Sequence, residues 1–257
     1  MATVTPPLLP LTPTTLELME EQASGNAETD LDRHVDLLRQ VGRGERGALM
    51  RMYAPAPTLA FGRRDTRLPG FQRAWDAAAD AGFEPVVRAA GGRATAYHEG
   101  TLIVDQIQPE PEPMLTHQAR FSVFGDLFAD ALRAVGVDSR VGEVPGEYCP
   151  GEFSVHGVGA GGARVKLVGT AQRVVAGAWL FSSVVVVSGS PALRAVTTNV
   201  YRELGMELDP STVGSVEDLL IPETMPDGDG PRPYASGLAD VAGAIVAAWE
   251  AAGYSFI

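Results

Sequence analysis

The chain has 257 residues, 45 % hydrophobic and 20 % charged, the balance of a soluble globular protein with one large domain or two small ones. Its net charge of −12 counts against nonspecific binding to nucleic acid or an anionic membrane, which needs a broad basic surface. A lone cysteine excludes an internal disulfide and suits a reducing compartment; the opening "MATVTPPLLPLTPTT" lacks a signal-peptide pattern, and no apolar run reaches the roughly 18 residues of a membrane span, so a cytoplasmic protein is expected.

Residues 1–14 are Pro-rich and read as an extended surface arm. A helix is expected from Thr14 or Thr15 ("TLELMEEQA"), and a second over 29–41, capped by Thr29 or Asp30, with His34 on its exposed face. "ALMRMYAPAPTLAFG" reads as two short strands broken at the Pro55–Pro57 turn, and 71–82 as a helix closed by Gly82. From 83 to 108 the pattern is a strand to Arg88, a Gly-Gly turn, then strand residues through Ile107. Apolar positions at Phe124, Leu127, Phe128, Ala131, Leu132 and Val135 make 114–137 an amphipathic helix ended by Gly136. A hairpin through Gly159–Gly162 and a buried strand in "AWLFSSVVVVSG" follow, and three helices close the chain. Strands and helices mix without βαβ alternation. The expected fold is α+β, one domain over 1–257 with a mixed β-sheet flanked by helices.

Three features could carry chemistry. "VVRAAGGRATAYHEG" sets Arg88 and Arg93 around Gly91 and Gly92, a turn whose backbone could approach a ligand and whose arginines could hold an anionic group; a plain hairpin with surface arginines fits equally. It matches neither a Walker loop nor a Rossmann fingerprint. Lys166 is the single lysine among 20 Lys and Arg residues. Compositional bias explains the scarcity, but Lys166 lies on a strand between Val165 and Leu167, where a buried amine needs a purpose, and a titratable amine is something arginine cannot supply. Cys149 lies in "EYCPGEF", a Pro-Gly loop that hinders burial; it is either a small hydrophobe or a nucleophile with Lys166 as its partner. Of four histidines His98, after the Gly-Gly turn, is the site candidate, and no His or Cys spacing suggests a metal site.

"PTLAFGRRD", "VVRAAGGRATAYHEG" and "KLVGTAQR", in this order, resemble the lipoate–protein ligase and octanoyltransferase superfamily, over residues 29–250. The resemblance implies the biotin/lipoate protein ligase catalytic-domain fold. It makes Lys166 the family's lysine that holds the acyl carbonyl, and Arg88, Gly91, Gly92, Arg93, His98, Gly169, Thr170 and Ala171 substrate-binding. The sequence departs from the family pattern at Val87, where an Arg is usual, and at Ala90, where a hydroxyl residue is usual. "YCPGEFSV" looks like the cysteine-dependent octanoyltransferases that move octanoyl from the glycine-cleavage H protein to other lipoyl domains.

The implied mechanism is acyl transfer through a thioester on Cys149, with no cofactor required, an octanoyl or lipoyl donor, and lipoyl-domain acceptors (the glycine-cleavage H protein and 2-oxoacid dehydrogenase E2 subunits). An acyl tunnel is expected near Ala171 and Val184–Val187. Arg63, Arg64, Arg67 and Arg73 could meet an acidic partner. A monomer is expected. The alternatives are an ATP- and Mg-dependent ligase, with Arg88, Gly91, Gly92 and Lys166 around the phosphate, and a non-catalytic acyl-binding relative.

Overall fold

Two neighbouring strands, β6 (Thr101–Pro109) and β10 (Ala178–Val186), are buried on both faces, which explains their near-continuous apolar sequence. Leu102, Val104, Trp179, Phe181 and Val185 face one core; Ile103, Ile107, Leu180 and Val184 face the other. The computed structural model describes residues 14–220 and 237–257. The expected Pro-rich arm lies, but for Thr14, outside the described residues.

The large sheet runs β11 (Ser255–Phe256), β1 (Thr15–Glu20), β2 (Leu49–Tyr53), β6, β10, β9 (Arg164–Val175), β8 (Val155–Val158), β7 (Ser139–Val141). A small sheet has the order β4 (Glu84–Val87), β3 (Thr58–Phe61), β5 (Thr95–Tyr97). Helices α3 (His117–Ala134) and α6 (Leu238–Ala251) cover one face of the large sheet, with Phe124 stacked on Trp249. Helix α1 (Ala27–Gly42) covers the other, Leu37, Leu38 and Val41 packing on Leu49, Ile107 and Leu180. Helices α2 (Phe71–Asp80) and α4 (Ser190–Leu204) bury the small sheet's outer side, and α5 (Val216–Leu219) is a single turn. The α+β architecture is the one expected. No helix among the described residues is long and apolar enough to cross a membrane.

Four local expectations are corrected. "TLELME" is strand β1, not a helix: Leu16 and Leu18 alternate onto the same core, and the backbone pairs in parallel with β2 and β11. The cap of α1 is Asn26, whose side chain accepts from Thr29 N at 2.8 Å; Asp30 instead accepts from Ser24 N. The stretch after the Gly-Gly turn is two strands, broken where Thr101 N donates to His98 O at 2.8 Å and the chain passes from the small sheet to the large one. The Gly-Gly segment is no hairpin, because β4 and β5 flank β3, and the loop crosses over that strand's end.

Candidate active site

The loop between β7 and β8 carries Cys149, the one non-glycine residue with positive φ (+43°) among the described residues. Such backbone costs about 1–3 kcal/mol and persists only where its surroundings enforce it. Here they do. Cys149 N donates to Tyr201 Oη at 2.7 Å, and that hydroxyl donates onward to Ala94 O at 3.1 Å. Lys166 Nζ donates to Cys149 O (2.8 Å) and Tyr148 O (3.0 Å). The Glu147 carboxylate accepts from Gly151 N and Ser154 Oγ, and its other oxygen is 3.5 Å from Lys166 Nζ, an ion pair without a hydrogen bond. Burial pulls the Lys166 ammonium below the ordinary lysine range, against the opposing pull of Glu147 and Cys149. Burial also pushes the Tyr201 phenol far up, so it stays a neutral donor.

The Gly-Gly loop meets this one at sulfur. Arg93 N donates to Cys149 Sγ at 3.1 Å, an N–H placed to stabilise negative charge there. Gly92 has φ of +103°, and a Cβ on it would lie 2.4 Å from Arg88 Nη2 and 3.1 Å from Sγ, so only glycine fits. Gly91 is exposed, with nothing within 4 Å of a built Cβ; of the two glycines it is the outer one. Arg88 is 7 % exposed and turned inward, donating to Gly91 O, Ala60 O, Tyr97 Oη and Arg93 O. It is the loop's internal brace. The Arg93 guanidinium pairs with buried Asp65, which also accepts from Gly62 N.

A cavity of about 320 Å³, within the range of ligand pockets, opens from this junction. Cys149, Lys166, Arg88 and Gly92 stand at one end. From there it crosses Gly169, Thr170 and Ala171 on β9, Ser182 and Val184 on β10, and Ile103 on β6, to reach Leu31 and His34 on α1. The register places Gly169 opposite Val184, and Val184 opposite Ile103, so the slot crosses two strand spacings, about 10 Å. Of the expected tunnel residues, Ala171 and Val184 line it, whereas Val185 and Val187 face the α3/α6 core and Val186 packs with the small sheet's cluster.

The structure brings Cys149, Lys166, Arg88, Gly92, Gly169, Thr170 and Ala171 to one cavity, with Arg93 entering through its amide. His98 does not line it. Its Nδ1 accepts from Gly100 N at 2.8 Å, which leaves Nε2 to donate to Gly189 O at 3.1 Å, tying the turn between β5 and β6 to the start of α4. His34, expected on an exposed face, is 2 % exposed and lines the far end. The acidic spacing Asp30, Asp32, Asp36 suggests a solvated helix, but α1 turns the stripe with Leu31, Val35 and Leu38 inward and His34 with it. Sequence reasoning also missed Glu147 and Tyr201: Glu147 opens "EYCPGEF" without a signal of its own, and only the fold brings Tyr201 to a loop 52 residues earlier.

A strained loop that offers a thiol beside a buried amine and a narrow apolar slot can accept and hold an acyl group. The model of the lipoyl protein ligase A/B catalytic domain matches residues 26–226, and the chain belongs to that family. It is 31 % identical over 171 residues to the octanoyl-[GcvH]:protein N-octanoyltransferase of Geobacillus kaustophilus, covering 66 % of this chain and 59 % of that protein. Over 198 residues it is 23 % identical to the lipoyl-[GcvH]:protein N-lipoyltransferase of Listeria monocytogenes, covering 72 % and 68 %. The chain thus spans between 59 % and 68 % of the length of these relatives. A structure of lipoate-protein ligase A bound with ATP superposes with a TM-score of 0.69, over 95 % of this chain and 87 % of that one. At 18 % identity that likeness is one of fold.

Proposed function

We propose that the chain is an acyltransferase that moves an octanoyl or lipoyl group, through a thioester on Cys149, onto a lysine of a lipoyl-domain protein. The observation that carries this reading is the junction at Cys149 Sγ: a strained thiol, an amide donor from Arg93 and a buried ammonium at the mouth of one apolar slot. The names of its relatives support the glycine-cleavage H protein as donor, and other lipoyl domains, such as those of E2 subunits, would accept.

In the first step the Cys149 thiolate attacks the carbonyl carbon of the donor's acyl-lysine amide. The S–C bond forms, the C–N bond breaks, and the donor lysine leaves as an amine that takes up one proton. In the second step the acceptor lysine's amine attacks the thioester carbonyl, the S–C bond breaks, and the new amide gives up one proton. Cys149 returns to thiolate and the protons balance. Lys166 holds the Cys149 loop by its carbonyls, and its lowered affinity for a proton supports a part in the proton transfers at the junction. Charge on the tetrahedral intermediates is met by the Gly92–Arg93 amides and the ammonium.

An ATP-dependent ligase asks Arg88 to offer its guanidinium to phosphate. Four of its donor contacts are already taken inside the protein, so a phosphate group fits poorly against Arg88. The departures at Val87 and Ala90 do not disable the junction: Val87 is 45 % exposed and Ala90 is a small buried residue of the cavity wall.

The test is intact-mass spectrometry of the protein after incubation with octanoyl-loaded H protein, without nucleotide. One octanoyl group is expected on Cys149, absent from Cys149→Ala, and chased onto a second lipoyl domain. Full transfer by Cys149→Ala, or transfer only with ATP and free acid, would sink the proposal.

A further inference from the structure

The far end of the slot is not hydrocarbon. His34 lines it, 2 % exposed; its Nε2 has no hydrogen-bond partner among the described residues, and its Nδ1 faces the Asp105 carboxylate. Behind the imidazole lies Asp105, fully buried, its Oδ2 3.5 Å from His34 Nδ1 and 3.3 Å from Arg51 Nη1. Arg51 is itself buried, fixed by Glu21 Oε2 at 2.6 Å and by Asp30 O at 3.1 Å. Ser182 stands opposite Asp105 in the sheet and lines the slot. Burial alone would push the Asp105 carboxyl up, but His34, Arg51 and Ser182 together hold it below the usual carboxylate range.

This cluster has no part in the chemistry at Cys149, and a plain hydrocarbon end would be served better by leucine or phenylalanine. Unpaired polar groups in a core are costly, and those that persist mark a binding or functional need. An anionic Asp105 beside Nδ1 draws the ring proton to that nitrogen, which leaves Nε2 of the neutral imidazole as an acceptor; the imidazolium would donate from it instead. Either form seats a polar atom: an S–H or O–H in the first case, a ring sulfur or hydroxyl oxygen in the second.

We infer that His34, held by Asp105, reads the distal end of the acyl chain and makes the slot prefer acyl groups carrying a sulfur or hydroxyl near that end over a plain straight-chain acyl group. The distance fits. Two strand spacings, about 10 Å, separate β9 from β6, and seven C–C bonds of about 1.5 Å in a zigzag span about 9 Å, so an eight-carbon chain lying in the slot is long enough to cross from Gly169 to Ile103, on the side of the slot that His34 also lines. Lipoyl carries its sulfurs on the sixth and eighth carbons. The inference rests on the acyltransferase reading and assigns to it the substrate that the catalytic residues leave open. His34 here is a specificity residue, and Asp105 a positioning residue acting through it.

The experiment measures the rate of Cys149 acylation by intact mass, with activated thioesters of octanoate, lipoate and 8-hydroxyoctanoate as probes, in the full chain and in His34→Leu. The native protein is expected to favour 8-hydroxyoctanoyl over octanoyl by roughly tenfold or more, since a hydroxyl can donate to Nε2 or accept from it and a site built around a hydrogen-bonding group penalises a ligand lacking one; lipoyl, whose ring sulfurs only accept, shows whether the ring also donates. His34→Leu should abolish or reverse that ratio while still acylating Cys149 with octanoyl. Asp105→Asn, which keeps the shape but not the charge, should shift the ratio in the same direction, and its melting temperature separates lost folding from lost selection. An unchanged ratio in His34→Leu, or equal rates for octanoyl and 8-hydroxyoctanoyl in the native protein, overturns the inference. Failure of Cys149 to acylate with any probe refutes the acyltransferase reading instead.

Discussion

Replacing Lys166 by Met tests whether this lysine holds the nucleophile loop or serves only the chemistry. Its ammonium is 2 % exposed, 3.5 Å from a Glu147 carboxylate that is fully buried. Two unit charges at that distance attract by about 5 kcal/mol at an effective dielectric of about 20. Desolvation of both ions consumes much of this, so the net value of the pair is small, but removing one partner leaves a buried charge uncompensated and costs about 3–5 kcal/mol. Lys166→Met is therefore expected to lose that much stability, and Lys166→Met with Glu147→Gln to recover at least about 1–2 kcal/mol of it, because no naked carboxylate remains. The assay is urea denaturation of the native protein, both single variants and the double variant. Losses that add to within about 0.5 kcal/mol would refute the coupling. Thioester transfer should not return in the double variant, which separates a repaired loop from a missing amine.

Three other outcomes follow from the same geometry. Gly92→Ala drives a Cβ to within 2.4 Å of Arg88 Nη2 and 3.1 Å of the sulfur at φ +103°, so transfer is expected to fall by roughly 100-fold, while Gly91→Ala, which meets nothing, leaves the rate intact; steady-state kinetics of the two variants decide it. Tyr201→Phe unpairs Cys149 N and Ala94 O and is expected to cost about 2–4 kcal/mol with a melting temperature several degrees lower, alongside faster alkylation of a loosened Cys149, read by calorimetry and iodoacetamide labelling. The Lys166 ammonium loses its proton below the unfolded value of 10.5, so between its folded and unfolded pKa the unfolded chain binds more protons and stability rises with pH; Lys166→Met is expected to flatten that rise in denaturation curves taken across the alkaline range.

What the sequence makes legible here follows its physics. Patterns that depend on near neighbours are readable: the near-continuous apolar run of β10, the hairpin through Gly159–Gly162, and the apolar stripe of α3 each act over a few residues. Strand β1 was misread because six residues with two leucines are compatible with either period, and its partners β2 and β11 are supplied by distant parts of the chain. The site divides the same way. Lys166 and Cys149 stand out because each is unique in composition, and the rare residue in an apolar or broken context is where chemistry concentrates. Gly92 was readable as a glycine but not as the one of the pair that touches sulfur, since Gly91 shares its type and differs only in what the fold places beside it. Glu147, Tyr201 and His34 depend wholly on such placement. Each is an ordinary residue in its local sequence, and each becomes informative only when the fold buries it: a carboxylate against the single ammonium, a phenol against a strained amide, an imidazole against a carboxylate at the end of a slot. The residues that hold the Cys149 loop and the one proposed to read the acyl chain are thus the ones that local pattern cannot reveal. Tyr201 and His34 act across long stretches of chain, whereas Cys149, the proposed nucleophile, is marked by its own chemistry.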